Sequence, residues 1–121
     1  MSIIELAHQY NQFQSDFGAG VPLDFNSFIE GAFSVDFQKI ANGQSLVSMR
    51  NELHNQLIQV KDIAGRWTIE PTKIIPSADN KECTIRYFID TEKVGKFDVL
   101  AVLSSSNGRY IDQINEIYYQ I

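Results

Sequence analysis

Few side chains in this sequence can do chemistry, and they are widely spaced. The chain has two histidines, His8 and His54, one cysteine, Cys83, and five tyrosines. A histidine beside a carboxylate or a tyrosine is what general acid–base catalysis takes. His54, Asp36 and Tyr10 are therefore the candidate catalytic groups. His54 follows Leu53, about 100° round a helix from the apolar stripe, where a solvated or core-edge role is the ordinary one. His8 follows Ala7 in the same way. Cys83 falls in mid-strand, where a buried, inert thiol is the ordinary reading, and a lone cysteine allows no intrachain disulfide. No histidine pair at i, i+4, no cysteine pair and no acidic calcium-type loop is present, so no metal site is expected. Gly18-Ala19-Gly20 follows a helix instead of a strand, which speaks against a phosphate loop. No cofactor is expected.

Other residues suit ligand contact. Tyr10 lies on an apolar helix face, and Tyr87 shares a strand face with Cys83, Ile85 and Ile89. Each offers an apolar body and one hydroxyl. Phe13, Phe33, Trp67, Phe97 and Ala101 join them as the expected lining of a pocket, with Phe28 nearby. Core packing competes with that role at each position.

The elements that must position these residues are mainly in the second half. Arg66–Ile75, Lys81–Glu92, Lys96–Ser104 and Arg109–Ile121 are rich in β-branched and aromatic residues and are bounded by turn formers. Short links make them an antiparallel meander. Pro71 puts the first of these strands at an edge or gives it a bulge. In Lys96–Ser104, Phe97, Val99, Ala101 and Leu103 share one face, and Asp98, Leu100 and Val102 share the other. A strand apolar on both faces is covered twice, once by helices and once by a second subunit. Glu70, Arg86, Phe88 and Asp98 fall on the same outer phase as Leu100 and Val102, and these six are the expected homodimer interface. Asn107-Gly108 signals a hairpin. In the last strand a bulge near Asp112-Gln113 would bring Ile111, Ile114, Ile117, Tyr119 and Ile121 to one face.

The first half reads as helices. Ile3, Leu6, Ala7, Tyr10, Phe13 and Phe17 recur at spacings of three and four, predicting a helix from Ser2 to Phe17. Pro22 or Leu23 opens a second helix, whose Phe25, Phe28, Ile29, Ala32 and Phe33 should lie deep in the core. Ser34–Ile40 is a short extended piece with Val35, Phe37 and Lys39 on one side. Asn42-Gly43 is a turn. Ser45 is the expected N-cap of a third helix marked by Leu46, Met49, Leu53, Leu57 and Val60, stopping at Gly65.

Helices first and strands afterwards predict an α+β fold: a cone with N-terminal helices packed on a strongly curved, mainly antiparallel sheet. At 121 residues the chain is one domain's worth, spanning 1–121. The net charge of −5, with scattered lysines and arginines, disfavours nucleic acid. No run approaches the ~20 apolar residues of a membrane span, and Met1-Ser2-Ile3-Ile4-Glu5 lacks a signal-peptide pattern. The expectation is a cytoplasmic protein with neither a membrane nor a nucleic-acid partner.

The element order resembles the nuclear transport factor 2-like superfamily, which includes ketosteroid isomerases, scytalone dehydratases and SnoaL-type polyketide cyclases. The residues that carry the resemblance are Phe97-Asp98-Val99-Leu100-Ala101-Val102-Leu103, then Asn107-Gly108-Arg109-Tyr110-Ile111, and the closing Asn115-Glu116-Ile117-Tyr118-Tyr119. Phe33-Ser34-Val35-Asp36-Phe37 before Asn42-Gly43-Gln44 is similar too. The resemblance implies a SnoaL-like domain with a pocket between helices and sheet, often dimeric through the outer sheet face. It also implies what is missing. The isomerases' protonated acid falls at Ala101 and their base at Ala41 or Asn42, none of which can exchange a proton; Tyr10 alone matches the oxyanion tyrosine. Whether the chain is an enzyme is left open by these losses. The function expected is binding of a small, mostly apolar molecule in the pocket. The alternatives are a non-catalytic dimeric interaction module, or a cyclase, isomerase or dehydratase using acid/base chemistry.

Overall fold

The computed structural model describes residues 2–121. Helix α1, Ile3–Ala19, begins at Ser2, whose hydroxyl accepts from the Glu5 amide at 3.2 Å. It ends where Gly20 turns left-handed at φ 77°, which a residue with a Cβ resists. The stripe expected from spacing, Ile3 through Phe17, is buried.

Helix α2, Phe25–Ala32, starts later than Pro22 or Leu23, because the Asp24 side chain caps it, accepting from the Ser27 amide at 3.1 Å. It is also shallower than its aromatics suggested. Ile29 and Ala32 are buried, while Phe25 and Phe28 are half-buried over the rim of the core. Phe33 leaves the helix and opens strand β1, Phe33–Ala41.

The region around Ser45 differs from expectation. Asn42 and Gly43 both have positive φ, 49° and 81°, the geometry of a tight hairpin turn. The turn folds Gln44–Val47 back on β1 as strand β2, which takes Ser45 and Leu46 with it. The helix-capping role passes to Glu52. Its carboxylate accepts from the Ser48 amide at 2.7 Å, the Ser48 hydroxyl at 3.1 Å and the Met49 amide at 3.2 Å. A 3-10 turn, Arg50–Glu52, then leads into helix α3, Leu53–Ala64, which stops at Gly65, φ 74°.

The four predicted strands are present as β3 Trp67–Pro76, β4 Glu82–Thr91, β5 Gly95–Ser104 and β6 Ile111–Gln120. They complete one six-stranded sheet in the order β2-β1-β6-β5-β4-β3. All neighbours are antiparallel except β1 and β6, which are parallel. Strand β3 is an edge strand, and its register shifts between Pro71 and Lys73, so Pro71 removes no hydrogen bond from the sheet interior.

Strand β6 corrects another expectation. Its pairing with β5 is unbroken from Gln120 opposite Phe97 to Gln113 opposite Ser104. Strict alternation therefore holds, and Ile117 and Tyr119 face outward, at 40% and 66% exposed. Glu116 and Tyr118 face the interior in the same phase as the buried Ile114. The irregularity lies instead in the pairing of β1 with β6, between Phe33 and Gln38. The three helices cover the inner face, where Cys83, Ile85, Val99, Ala101, Leu103 and Ile114 pack against α1. The result is an α+β architecture of helices on one side of a mainly antiparallel sheet.

Candidate functional site

The inner face is not packed solid. Helix α3 contributes Leu57, Val60, Ile63 and Ala64 to one wall of a cavity of about 290 Å³. The sheet contributes Trp67, Tyr87, Ile89, Phe97 and Val99 to the other. Leu46 of β2 and Tyr118 of β6 stand at its rim, both more than one-third exposed. The wall is mostly apolar, as small-molecule sites are.

Trp67 is held by two features. Its Nε1 donates to the Gln14 carbonyl at 3.0 Å, and its ring lies against Gly18, where a Cβ would overlap the indole. Helix α1 and strand β3 can approach this closely only with glycine there.

Five polar side chains interrupt the apolar wall: Gln14, Lys39, Gln56, Tyr87 and Glu116. The Tyr87 hydroxyl sits between two acceptors, Gln14 Oε1 at 3.3 Å and Glu116 Oε2 at 3.4 Å. One hydroxyl has one proton, so it serves one acceptor at a time. Gln14 is 6% exposed, and its Nε2 has no hydrogen-bond partner. Lys39 is 5% exposed, and its Nζ donates to Gln56 Oε1 at 3.2 Å. Among the described residues the one ion pair within 4.0 Å is Arg86–Asp98 on the other face of the sheet, so Lys39 has no carboxylate at that range. Burial raises the Tyr87 hydroxyl well above its usual pKa, with the Glu116 charge adding to the effect. Burial does the same to Tyr10, helped by Tyr87 and then Glu116. Both tyrosines are hydrogen-bond donors at neutral pH, not anions.

Of the residues singled out in the sequence, Trp67, Tyr87 and Phe97 line the cavity. Tyr10, Phe13, Phe33 and Ala101 lie in the packed core instead, where Phe33 touches the rings of Tyr10, Phe13 and Phe37. His54 is turned toward α2. Its Nδ1 is 2.9 Å from Asn26 Oδ1, and its ring packs on Phe17 and Phe25. Asp36 and His8 are exposed. His54, Asp36 and Tyr10 therefore do not converge in the cavity. No group of three or more His, Cys, Asp or Glu side chains among the described residues could hold a metal.

Gln14, Lys39, Gln56 and Glu116 were not among the sequence candidates. Two carried a signal. Lys39 shares a strand face with Phe37, and Gln14 sits four residues after Tyr10 on an apolar helix stripe. A polar residue in an apolar phase is the mark of a buried polar group. Glu116 was hidden by the bulge expected in β6.

The six outer residues share one face in two neighbouring rows. Glu70, Phe88 and Asp98 run beside Arg86 and Leu100, with Val102 two positions beyond Leu100 on β5. Arg86 clasps Asp98 with Nε at 3.0 Å and Nη2 at 2.7 Å. Arg86 and Lys96 both lie over the Phe88 ring.

No protein-family model and no curated protein matches the chain. Solved structures do. An NTF2-like protein of unknown function from Exiguobacterium sp. 255-15 superposes with a TM-score of 0.70, 14% identity and coverage of 91% of this chain and 98% of that one. A candidate SnoaL-like polyketide cyclase from Jannaschia sp. CCS1 gives 0.73 at 8% identity, covering 97% and 83%. SalBIII, an epoxide hydrolase/cyclase-like enzyme in pyran ring formation in the polyether salinomycin, gives 0.69 at 15% identity, covering 97% and 90%. Identities this low speak to fold alone. No helix is long and apolar enough to cross a membrane. With its helices on a curved sheet and its cavity between them, the chain has the nuclear transport factor 2-like fold.

Proposed function

We propose that this protein binds a small, mostly apolar molecule in the cavity between α3 and the sheet. The observation that carries the reading is the cavity wall itself: apolar side chains around a few buried polar groups, one of which, Gln14 Nε2, has no partner. A buried donor without an acceptor costs about 1–3 kcal/mol, which a ligand atom would recover. Trp67, Tyr87 and Phe97 are the contacts retained from the sequence reading. Trp67 is the chain's single tryptophan and reports on the cavity directly. Titration of its emission with small aromatic and alicyclic compounds should show saturable change. Flat titrations, together with native mass spectra free of any copurified molecule, would sink the reading.

Acid/base turnover is a second reading, favoured by one observation: Glu116 and the Tyr87 hydroxyl, 3.4 Å apart, face the same cavity. A carboxylate that accepts and a hydroxyl that donates are the two halves of a proton-transfer pair. Glu116→Gln should abolish any turnover while leaving binding largely in place.

We also infer a homodimer through the outer sheet face. Leu100 and Ile117 are neighbours there, at 42% and 40% exposed, with Tyr119 beside Asp98 at 66%. Light scattering at micromolar concentration should give twice the chain mass, and Leu100→Asp should halve it. A wild-type monomer would remove this inference.

A further inference from the structure

The polar groups of the cavity fall into two stations. Lys39 and Ile114 are paired across β1 and β6, and Glu116 lies two residues further along β6, opposite Ala41. The backbone origins of the two charges are therefore roughly 7 Å apart along the strands. At the first station Lys39 Nζ donates to Gln56 Oε1 and, among the described residues, to no other side chain. Two of its three N–H bonds remain for a ligand. A cation this buried is ordinarily paired with an anion. At the second station Tyr87 bridges Gln14 and Glu116, leaving a free donor, Gln14 Nε2, beside a carboxylate acceptor.

We propose that the ligand is a hydroxy acid with an apolar body: its carboxylate meets Lys39, and its hydroxyl meets Glu116 and Gln14. This rests on the pocket reading and narrows it. The first station calls for an anionic oxygen, which completes the lysine's hydrogen bonds and its charge. The second calls for a group that both donates and accepts. A hydroxyl gives its proton to Glu116 and takes one from Gln14 Nε2. An ammonium has no lone pair and would leave Gln14 Nε2 unpartnered, so an amino acid fits less well. A second carboxylate there would face Glu116 at close range. The apolar body lies against Trp67, Phe97 and Leu57.

Four probes on one skeleton test this: β-hydroxy-β-phenylpropanoate, phenylpropanoate, β-amino-β-phenylpropanoate, and the diol made by reducing the hydroxy acid's carboxylate to an alcohol. Binding is read by Trp67 emission and by calorimetry. The hydroxy acid should bind about tenfold or more tightly than each of the other three, the worth of one charge-assisted hydrogen bond. Lys39→Met should erase its advantage over the diol, and Gln14→Leu its advantage over phenylpropanoate. Should Lys39→Met fail to fold, the ranking of the four probes on the wild-type protein still decides. Equal affinity for diol and hydroxy acid, or preference for the amino acid, overturns the hydroxy-acid assignment and leaves a pocket for a different ligand. No binding by any probe up to about 10 mM overturns both readings.

Discussion

Trp67 is fastened to helix α1 through Gln14, its indole Nε1 donating to the Gln14 carbonyl at 3.0 Å. The same glutamine turns its side chain toward the cavity, where its Oε1 accepts from Tyr87. One helix residue thus fixes the tryptophan with its backbone and contributes to the polar wall with its side chain.

That attachment makes Gly18 a sensitive position. A methyl group at Gly18 would overlap the Trp67 ring, so either the ring or the helix must shift. Gly18→Ala should destabilise the protein by about 1–3 kcal/mol, the cost of overpacking a close contact, against the small gain alanine brings in a helix. Urea unfolding measures it. An unchanged or raised midpoint would show that the helix and strand can separate freely.

Alkaline titration tests the burial of Tyr10 and Tyr87. Burial raises both hydroxyls well above the ordinary value of 10.0. The folded chain therefore holds protons that the unfolded chain releases. This contribution to stability is whole below pH 10.0 and is lost as pH rises beyond it. Absorbance of the five tyrosines should rise in two stages, with two of the five ionising only as circular dichroism reports unfolding. A single smooth titration that leaves the fold intact would contradict the buried placement.

Cys83 should be inert. It is fully buried, and burial pushes its thiol upward, away from the reactive thiolate. An aromatic disulfide reagent should modify it at least about a hundredfold faster in denaturant than in the native state, since access requires opening. Equal rates would mean that strand β4 is open in solution.

His54 separates the cavity from the other candidate chemistry. Because its ring packs on Phe17 and Phe25 and bonds to Asn26, His54→Gln should leave probe binding within about twofold, below the ~1 kcal/mol of a lost direct hydrogen bond. Loss of binding in a folded His54→Gln protein would move the site to the junction of α2 and α3.

Much of this architecture was legible in residue order. Alternation in β5, the three-and-four spacing of α1, and Pro71 at an edge are local patterns, each decided by a few neighbouring residues. The errors came where two patterns compete. Ser45 is a good helix cap, but Asn42-Gly43 directs the chain into a hairpin first, and Glu52 takes the capping role seven residues later. Ile117, Tyr119 and Ile121 look like core residues, but unbroken pairing with β5 sends Ile117 and Tyr119 outward, and Ile121 ends 70% exposed.

The sequence alone determined the α+β order, the strand set and the absence of the isomerase carboxylates at Ala101 and at Ala41 or Asn42, because periodicity and residue identity are properties of the chain itself. The tertiary structure decided which polar groups meet. Gln14, Lys39, Gln56, Tyr87 and Glu116 come from five different elements, and their convergence depends on sheet register and on the seating of α1 and α3. A one-residue slip in β6 would turn Glu116 to the outer face and Ile117 to the inner. That choice is made by the pairing of β6 with β5 and β1, not by anything within β6.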